Sequence, residues 1–243
     1  MAWILNGLMK KYKIINRKKE IYMNKIKISY VKTIYNYPEY YWTIDDKLIV
    51  EYLDFYIKKG LCPKLESMGT MMGLMNAWTG QLLWKPDNDF IWELIDCKQD
   101  INLPILVCED DCDLSCIVII VSIHKTDKFV YWDKIGLLNH ENEDFDKEKL
   151  SGILCLEAYT EEDWEKYGDN IATEKYNSYE YKKWVSENWE EELIRRRRNY
   201  TKPYMQQESN IYWIENTNWK FDINEYKKMI EQYRKIYLLN KFK

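Results

Sequence analysis

The alternation of polar and apolar positions predicts the first strand and the first helix of the chain. Residues 25–31 (KIKISYV) alternate in a way that is typical of a strand with one buried face. Over residues 43–60, apolar pairs recur every four positions, as they do on one face of a helix. Thr43 and Asp46 match a capping box at the start of this helix, and Gly60 is placed to end it.

Apolar runs in the middle of the chain predict the central strands. Residues 103–108 and 116–123 are apolar almost throughout, so we expect largely buried strands there. Residues 128–132 follow the second run after a turn-like tetrapeptide, which predicts an antiparallel hairpin. The short run at 152–158 predicts a further strand. Met- and Gly-rich residues 64–84 favour core packing with a loop, and a Met-lined binding groove is the alternative.

The last third of the chain has helical periodicity. Thr160 and Asp163 match a second capping box at the start of a helix, and residues 211–221 predict a hairpin before a closing amphipathic helix. Between them, one helical face repeats every four residues, at Tyr181, Val185, Trp189 and Leu193. We therefore expect one α+β domain over residues 23–243, with a central antiparallel β-sheet flanked by helices.

The first 22 residues do not share this regular pattern. Met23 is a second possible start, and Lys19 and Glu20 can be encoded by a ribosome-binding sequence just before it. We expect residues 1–22 to be a translated leader or a disordered extension.

Charge is distributed unevenly along the chain. Residues 1–32 hold nine Lys/Arg and one Glu, a net charge of +8, whereas residues 141–192 hold 17 Asp/Glu and six Lys, a net charge of −11. An acidic stretch of this size repels phosphate backbones and attracts basic proteins. Nucleic acid is therefore not expected as its partner. A solvated face that only keeps the protein soluble is the other interpretation.

The cysteines and the lengths of the apolar runs indicate the cellular compartment of the protein. The chain has six Cys, no signal peptide precedes them, and no apolar run reaches the roughly 18 residues of a membrane span. We expect a cytoplasmic protein with reduced thiols and no contact with a membrane.

Local motifs for catalysis are missing from the sequence. It has no phosphate-binding glycine loop and no zinc-protease motif, and neither His124 nor His140 lies beside a nucleophile motif. Glu161 and Glu165 can serve acid–base or metal chemistry only if they face a pocket, and solvation is the simpler account. The run Arg195–Arg198 follows three glutamates, so we expect it to pair with acids rather than bind nucleic acid.

Three cysteines, Cys108, Cys112 and Cys116, recur at a spacing of four. Zinc prefers four such ligands, with the fourth available from Cys97, Cys155 or His140. The loop between two strands favours a structural turn without metal, so no cofactor is expected.

Two segments carry a resemblance to a known family. VYWDKIG (130–136) and SGILCLEAYTEEDWEKYGDNIATE (151–174) resemble immunity proteins of bacterial contact-dependent growth inhibition and related polymorphic toxin systems. The resemblance covers residues 103–190 and implies a protein that is not an enzyme. It implies that the chain binds and blocks the basic C-terminal toxin domain, often a nuclease, of a cognate effector.

The acidic stretch would then face the toxin, and aromatic side chains would anchor it. Trp132 and Tyr167 are further anchor candidates, for which core packing is the alternative. An unrecognised metal-dependent hydrolase or nuclease and a small cysteine-based metal module are the rival functions. The residues that we expect to contact the partner are Glu161, Glu162, Asp163, Asp169, Asp144 and Trp164.

Overall fold

The computed structural model describes residues 22–140 and 144–241, so most of the predicted leader lies outside the described residues. The strands are β1 (Ile26–Lys32), β2 (Pro38–Ile44), β3 (Lys47–Leu48), β4 (Leu74–Asn76), β5 (Ile101–Cys108), β6 (Val118–Lys125), β7 (Phe129–Leu138), β8 (Ile211–Glu215) and β9 (Trp219–Asp222). The α-helices are α1 (Ile49–Lys58), α2 (Lys85–Ile95), α3 (Phe145–Ser151), α4 (Glu161–Ile171), α5 (Tyr179–Glu187), α6 (Trp189–Arg196), α7 (Lys202–Met205) and α8 (Ile223–Lys241).

The strands form two antiparallel sheets, which together with the helices confirm the α+β fold class. The smaller sheet has the order β1-β2-β3, and the larger has the order β4-β5-β6-β7-β8, with β9 also pairing with β7. The predicted hairpin of the second and third apolar runs is confirmed, because β6 and β7 pair from Ile119 with Leu137 to Lys125 with Val130.

The hairpin predicted at 211–221 is wrong. Strands β8 and β9 do not pair with each other, since both pair with β7, at 135–138 and 129–132 respectively. Both strands therefore lie along the same edge of β7, and residues 216–218 separate them. At this interruption the Thr217 hydroxyl donates to the Trp132 carbonyl at 2.6 Å, and the Asn218 amide donates to the Asp133 carbonyl at 3.1 Å.

The first predicted capping box is also wrong. Thr43 lies inside β2, where it is paired with both β1 and β3, and α1 begins only at Ile49. A tight turn at Asp45 and Asp46, both with positive φ, separates the strands. The helix ends at the position predicted, because Gly60 adopts φ 73° just beyond it.

The core between the two sheets and α8 is aromatic. The rings of Trp42, Trp78 and Trp132 meet edge to face with centroids 4.7–6.2 Å apart, and Tyr233 of α8 packs against the first two. All four are buried. Edge-to-face packing is a preferred arrangement of aromatic rings and adds to the stabilisation from burial.

A second, smaller core lies among the helices of residues 145–196. The four residues predicted to share a face pack together with Phe145, and a short break at Asn188 separates α5 from α6. The strand predicted at 152–158 is absent from this described segment, which contains a single 3-10 turn, Leu156–Ala158. Gly152, at φ 76°, ends α3, and the Cys155 amide donates to Glu192 at 2.8 Å instead of to a neighbouring strand.

Candidate functional site

The acidic helix α4 begins with the predicted capping box. The Thr160 hydroxyl accepts from the Asp163 amide at 3.2 Å, and the Asp163 carboxylate accepts from the Thr160 amide at 3.0 Å. Tyr167 is the buried residue of the helix, and its hydroxyl donates to Glu191. The capping box therefore defines the N-terminal end of α4, and the face that carries Tyr167 packs against the rest of the protein.

The opposite face of α4 carries carboxylates to solvent. Glu161, Glu165 and Asp169 follow at intervals of four residues with Glu162 beside them, and all four are exposed. Within residues 22–140 and 144–241, none of these carboxylates forms an ion pair. Their negative charge is therefore available to a partner.

The other predicted contact residues lie in different environments. Asp163 is about a fifth exposed, at 21%, and also accepts from the Arg195 guanidinium at 2.9 Å. Burial tends to raise its pKa, but the hydrogen bonds from Thr160 and Arg195 outweigh burial and lower the pKa of Asp163 overall. Asp144 is exposed but caps α3 by accepting from the Lys147 amide at 2.9 Å.

Among the predicted aromatic anchors, only Trp164 is well exposed. Its side chain is 44% exposed and packs against Tyr159 with ring centroids 5.5 Å apart. Trp132 is fully buried between the sheets and Tyr167 is 8% exposed. Both therefore have the core-packing role that was the alternative for them.

The arginine run pairs with carboxylates, as predicted. Arg195 donates to Glu192 at 2.8 Å in addition to Asp163. Arg196 donates to Glu148 at 2.7 Å and also lies 3.6 Å from Glu192. The partners of both guanidinium groups are other carboxylates, so neither arginine forms an ion pair with the exposed acids of α4.

The next two arginines pair with residues that the sequence pattern did not indicate. Arg197 forms two hydrogen bonds to Asp87, at 2.7 and 3.2 Å, and both side chains are buried. Arg198 pairs with Glu93 at 2.5 Å on the surface. Asp87 and Glu93 both belong to α2, so these pairs join the helical region to α2, which itself packs against β5 of the larger sheet.

The loop that joins β5 and β6 holds a group of possible metal ligands. Cys108, Asp111 and Cys116 offer ligand atoms that all lie within 4.8 Å of one another. Cys112, the middle cysteine of the predicted trio, is not in this group. Its thiol instead donates to the Glu109 carbonyl at 2.8 Å. Burial, followed by hydrogen bonds to Asp111 and Cys108, raises the pKa of the Cys116 thiol to about 12.

A groove of about 570 Å³ lies beside this loop. Met75 contributes to its lining and belongs to residues 64–84, for which a Met-lined groove was the alternative interpretation. The turn between β1 and β2 forms one wall, and Glu109 and Asp110 contribute to another. Glu39 of β2 lies against the groove although it is only 5% exposed. Burial, with a smaller contribution from the charge of Glu109, raises the pKa of Glu39 to about 7 although two backbone amides bond it.

Comparison with known proteins does not assign the chain to a class. No protein family, no curated protein and no solved structure matches it. Among the residues that the structure describes, no helix is both long enough and apolar enough to cross a bilayer. The surfaces of the chain itself are therefore the basis for its function.

Proposed function

We propose that this protein is a non-enzymatic immunity protein that binds and neutralises the basic C-terminal toxin domain of a cognate polymorphic toxin. The exposed face of α4 carries the proposal: Glu161, Glu162, Glu165 and Asp169 point to solvent without an ion-pair partner among the described residues. The proposed setting is the cytoplasm, and the toxin is proposed to be a nuclease.

The charge distribution supports a basic partner. Arg195 and Arg196 neutralise part of the acidic stretch, because they pair with Asp163, Glu192 and Glu148. The exposed acids of α4 keep their charge, since they are not among these partners. A field of this sign accelerates encounter with a positively charged protein and disfavours nucleic acid. The half-exposed ring of Trp164 lies on the same helix and can supply apolar contact area.

Growth rescue tests the proposal directly. The C-terminal domain of the large exported protein encoded beside this gene is expressed with and without this protein. We expect growth to stop with the domain alone and to recover when both are present. A harmless domain, or a toxic one that this protein does not neutralise, would contradict the proposal.

Charge reversal then tests the surface. We expect Glu161→Lys to slow association with the toxin domain, because this change shifts the charge of the α4 face by two units towards positive. Glu231→Lys, an exposed position on α8, is the matched control and should leave association nearly unchanged. Equal effects of the two variants would show that net charge, rather than the α4 face, sets the rate.

A structural metal module is a second candidate, because Cys108, Asp111 and Cys116 lie within ligand distance of one another. Two thiolates and a carboxylate suit zinc, with a fourth position left for another ligand. We expect Cys116→Ala to lower zinc content and to abolish any loss of thermal stability caused by chelator. Cys112→Ala is the control, and a zinc-free wild-type protein that is indifferent to chelator would contradict this candidate.

A further inference from the structure

The groove between the β1–β2 turn and the β5–β6 loop has the dimensions of a ligand site. Its volume of about 570 Å³ falls within the range of small-molecule pockets. The residues that line the groove belong to segments other than α4. Whatever binds there is thus independent of the acidic helix.

The groove has a deep acidic wall without a cation. One Glu39 oxygen accepts from the Tyr40 amide at 2.6 Å, and the other has only a long contact of 3.5 Å to the Asn76 amide. Glu109 and Asp110 add two more carboxylates, and no Lys, Arg or His is among the described residues that line the groove. A buried carboxylate is normally paired with a cation, so this wall is incomplete.

Two buried polar atoms that line the groove have no hydrogen-bond partner among the described residues. They are the Thr33 hydroxyl oxygen and one carboxylate oxygen of Glu109. Thr33 is only 8% exposed, and both residues line the groove. Buried polar groups in folded proteins are almost always satisfied, so these two atoms are available to a ligand that forms hydrogen bonds in the groove.

The rim of the groove is aromatic and apolar. Tyr35 and Tyr37 line it and are 54% and 64% exposed, and Pro38 and Met75 complete the apolar surface. Tyrosine rings attract cations through their faces, and apolar side chains suit a hydrocarbon stem. Met75 comes from the Met-rich segment for which a binding groove was the alternative interpretation.

We propose that this groove binds an organic cation, a protonated amine or guanidinium on a short apolar stem. The cation would donate hydrogen bonds to Glu39, Glu109 and Thr33, and the stem would lie between the tyrosines and Met75. The chemistry is the same for a free small molecule and for a lysine or arginine side chain of a partner protein.

Titration with n-butylammonium, followed by backbone amide NMR shifts, is the first test. We expect saturable shifts at groove residues, and none of comparable affinity with 1-butanol, which has the stem without the charge. Glu39→Gln keeps the shape and a hydrogen-bond acceptor, and should weaken binding by roughly tenfold or more. Glu231→Gln is the matched control and should bind as the wild type does.

The pH dependence provides a second readout. The groups that face Glu39 are Glu109 and Asp110 across the groove, Tyr41 on its own strand and Tyr233 from α8. Burial raises the pKa of both tyrosines, so they stay neutral through the tested range. Affinity for n-butylammonium should rise as the pH rises through about 7, where Glu39 ionises, and the Glu39→Gln variant should lack this rise.

A comparison of two peptides distinguishes a free amine from the side chain of a partner protein. A pentapeptide with one central lysine among glycines is compared with the same peptide carrying norleucine. Tighter binding of the lysine peptide than of n-butylammonium assigns the site to a partner's side chain, and equal or weaker binding assigns it to a free amine.

Three results would overturn the proposal: no saturable shift at millimolar amine, binding of 1-butanol equal to that of the amine, or unchanged affinity in both Glu39→Gln and Glu109→Gln. The second variant lies in the half-buried loop, so it keeps the test valid if the first fails to fold. Neither residue belongs to α4, so failure here and failure of toxin neutralisation are separate outcomes.

Discussion

Two carboxylates lie almost equally deep in different regions of this protein, and only one of them has a cation partner among the described residues. Asp87, at the start of α2, is fully buried and bound twice by Arg197, which also donates to the Thr201 hydroxyl at 3.2 Å. Glu39, in the smaller sheet, is 5% exposed and is bonded only by backbone amides.

The difference separates a structural charge from a charge that is available for binding. Both side chains of the Asp87–Arg197 pair are at most 1% exposed, so the role of the pair is to join the helical region to α2. Glu39 borders an open groove, so a cation from outside can reach it. Burial alone therefore does not indicate function, whereas burial without a partner next to open space does.

The largest effect is expected from breaking the enclosed pair. Asp87→Ala leaves the Arg197 charge buried without its partner, which should lower the free energy of unfolding by about 3–5 kcal/mol in urea denaturation. Arg198→Ala, which breaks the exposed pair with Glu93, is the control and should cost at most about 1 kcal/mol. Similar losses in the free energy of unfolding would mean that the buried pair contributes no more to stability than the exposed pair.

A smaller, pH-dependent effect is expected at Glu39. Its pKa is raised from 4.5 to about 7 in the folded protein, so the folded state holds a proton that the unfolded state loses at lower pH. Raising the pH from 4.5 to about 7 therefore favours unfolding, by up to about 3 kcal/mol for this one group.

Glu39→Gln isolates that contribution from those of other acids. Urea denaturation should give nearly equal stabilities for variant and wild type at pH values below 4.5, and a more stable variant above about 7. A difference between the two proteins that does not change with pH would show that Glu39 ionises normally in the fold.

The smallest effect is expected at a third carboxylate, Asp163, which is partly exposed and has both a backbone and an arginine partner. Thr160→Ala removes the hydroxyl that accepts from the Asp163 amide, and should cost about 1 kcal/mol by thermal unfolding. Thr160→Ser keeps the hydroxyl and should retain nearly all of the stability. A loss in the serine variant equal to that in the alanine variant would exclude capping as the cause.

Local sequence patterns predicted elements correctly only where tertiary pairing agreed with them. The same capping-box pattern occurs at Thr160 and Thr43, but it starts a helix only at Thr160. At Thr43 the backbone is paired with strands on both sides, and this pairing overrides the local preference. The apolar runs that became β5 and β6 were recognisable because burial on both faces leaves few polar positions.

The acidic surface was predictable from composition, whereas the acidic wall of the groove was not. Thr33 and Glu39 flank the β1–β2 turn, whereas Glu109 follows β5, and only the folded sheets bring these two segments together. One signal was present: Glu39 is a charged residue in a strand whose other residues are mostly aromatic or aliphatic. The partners of Arg197 and Arg198 were likewise missed, because α2 precedes them by about a hundred residues.

The contacts between the two ends of the described chain have a consequence for the order of folding. Asn24 and Lys220 exchange two hydrogen bonds, at 2.8 and 2.9 Å, across 196 positions, and the Asn76 side chain donates to Tyr233 of α8 at 2.9 Å. Closing loops of this length is slow relative to forming helices. We expect the helices of residues 145–196 to form early and the wall that holds Glu39 to be among the last parts to reach its native arrangement.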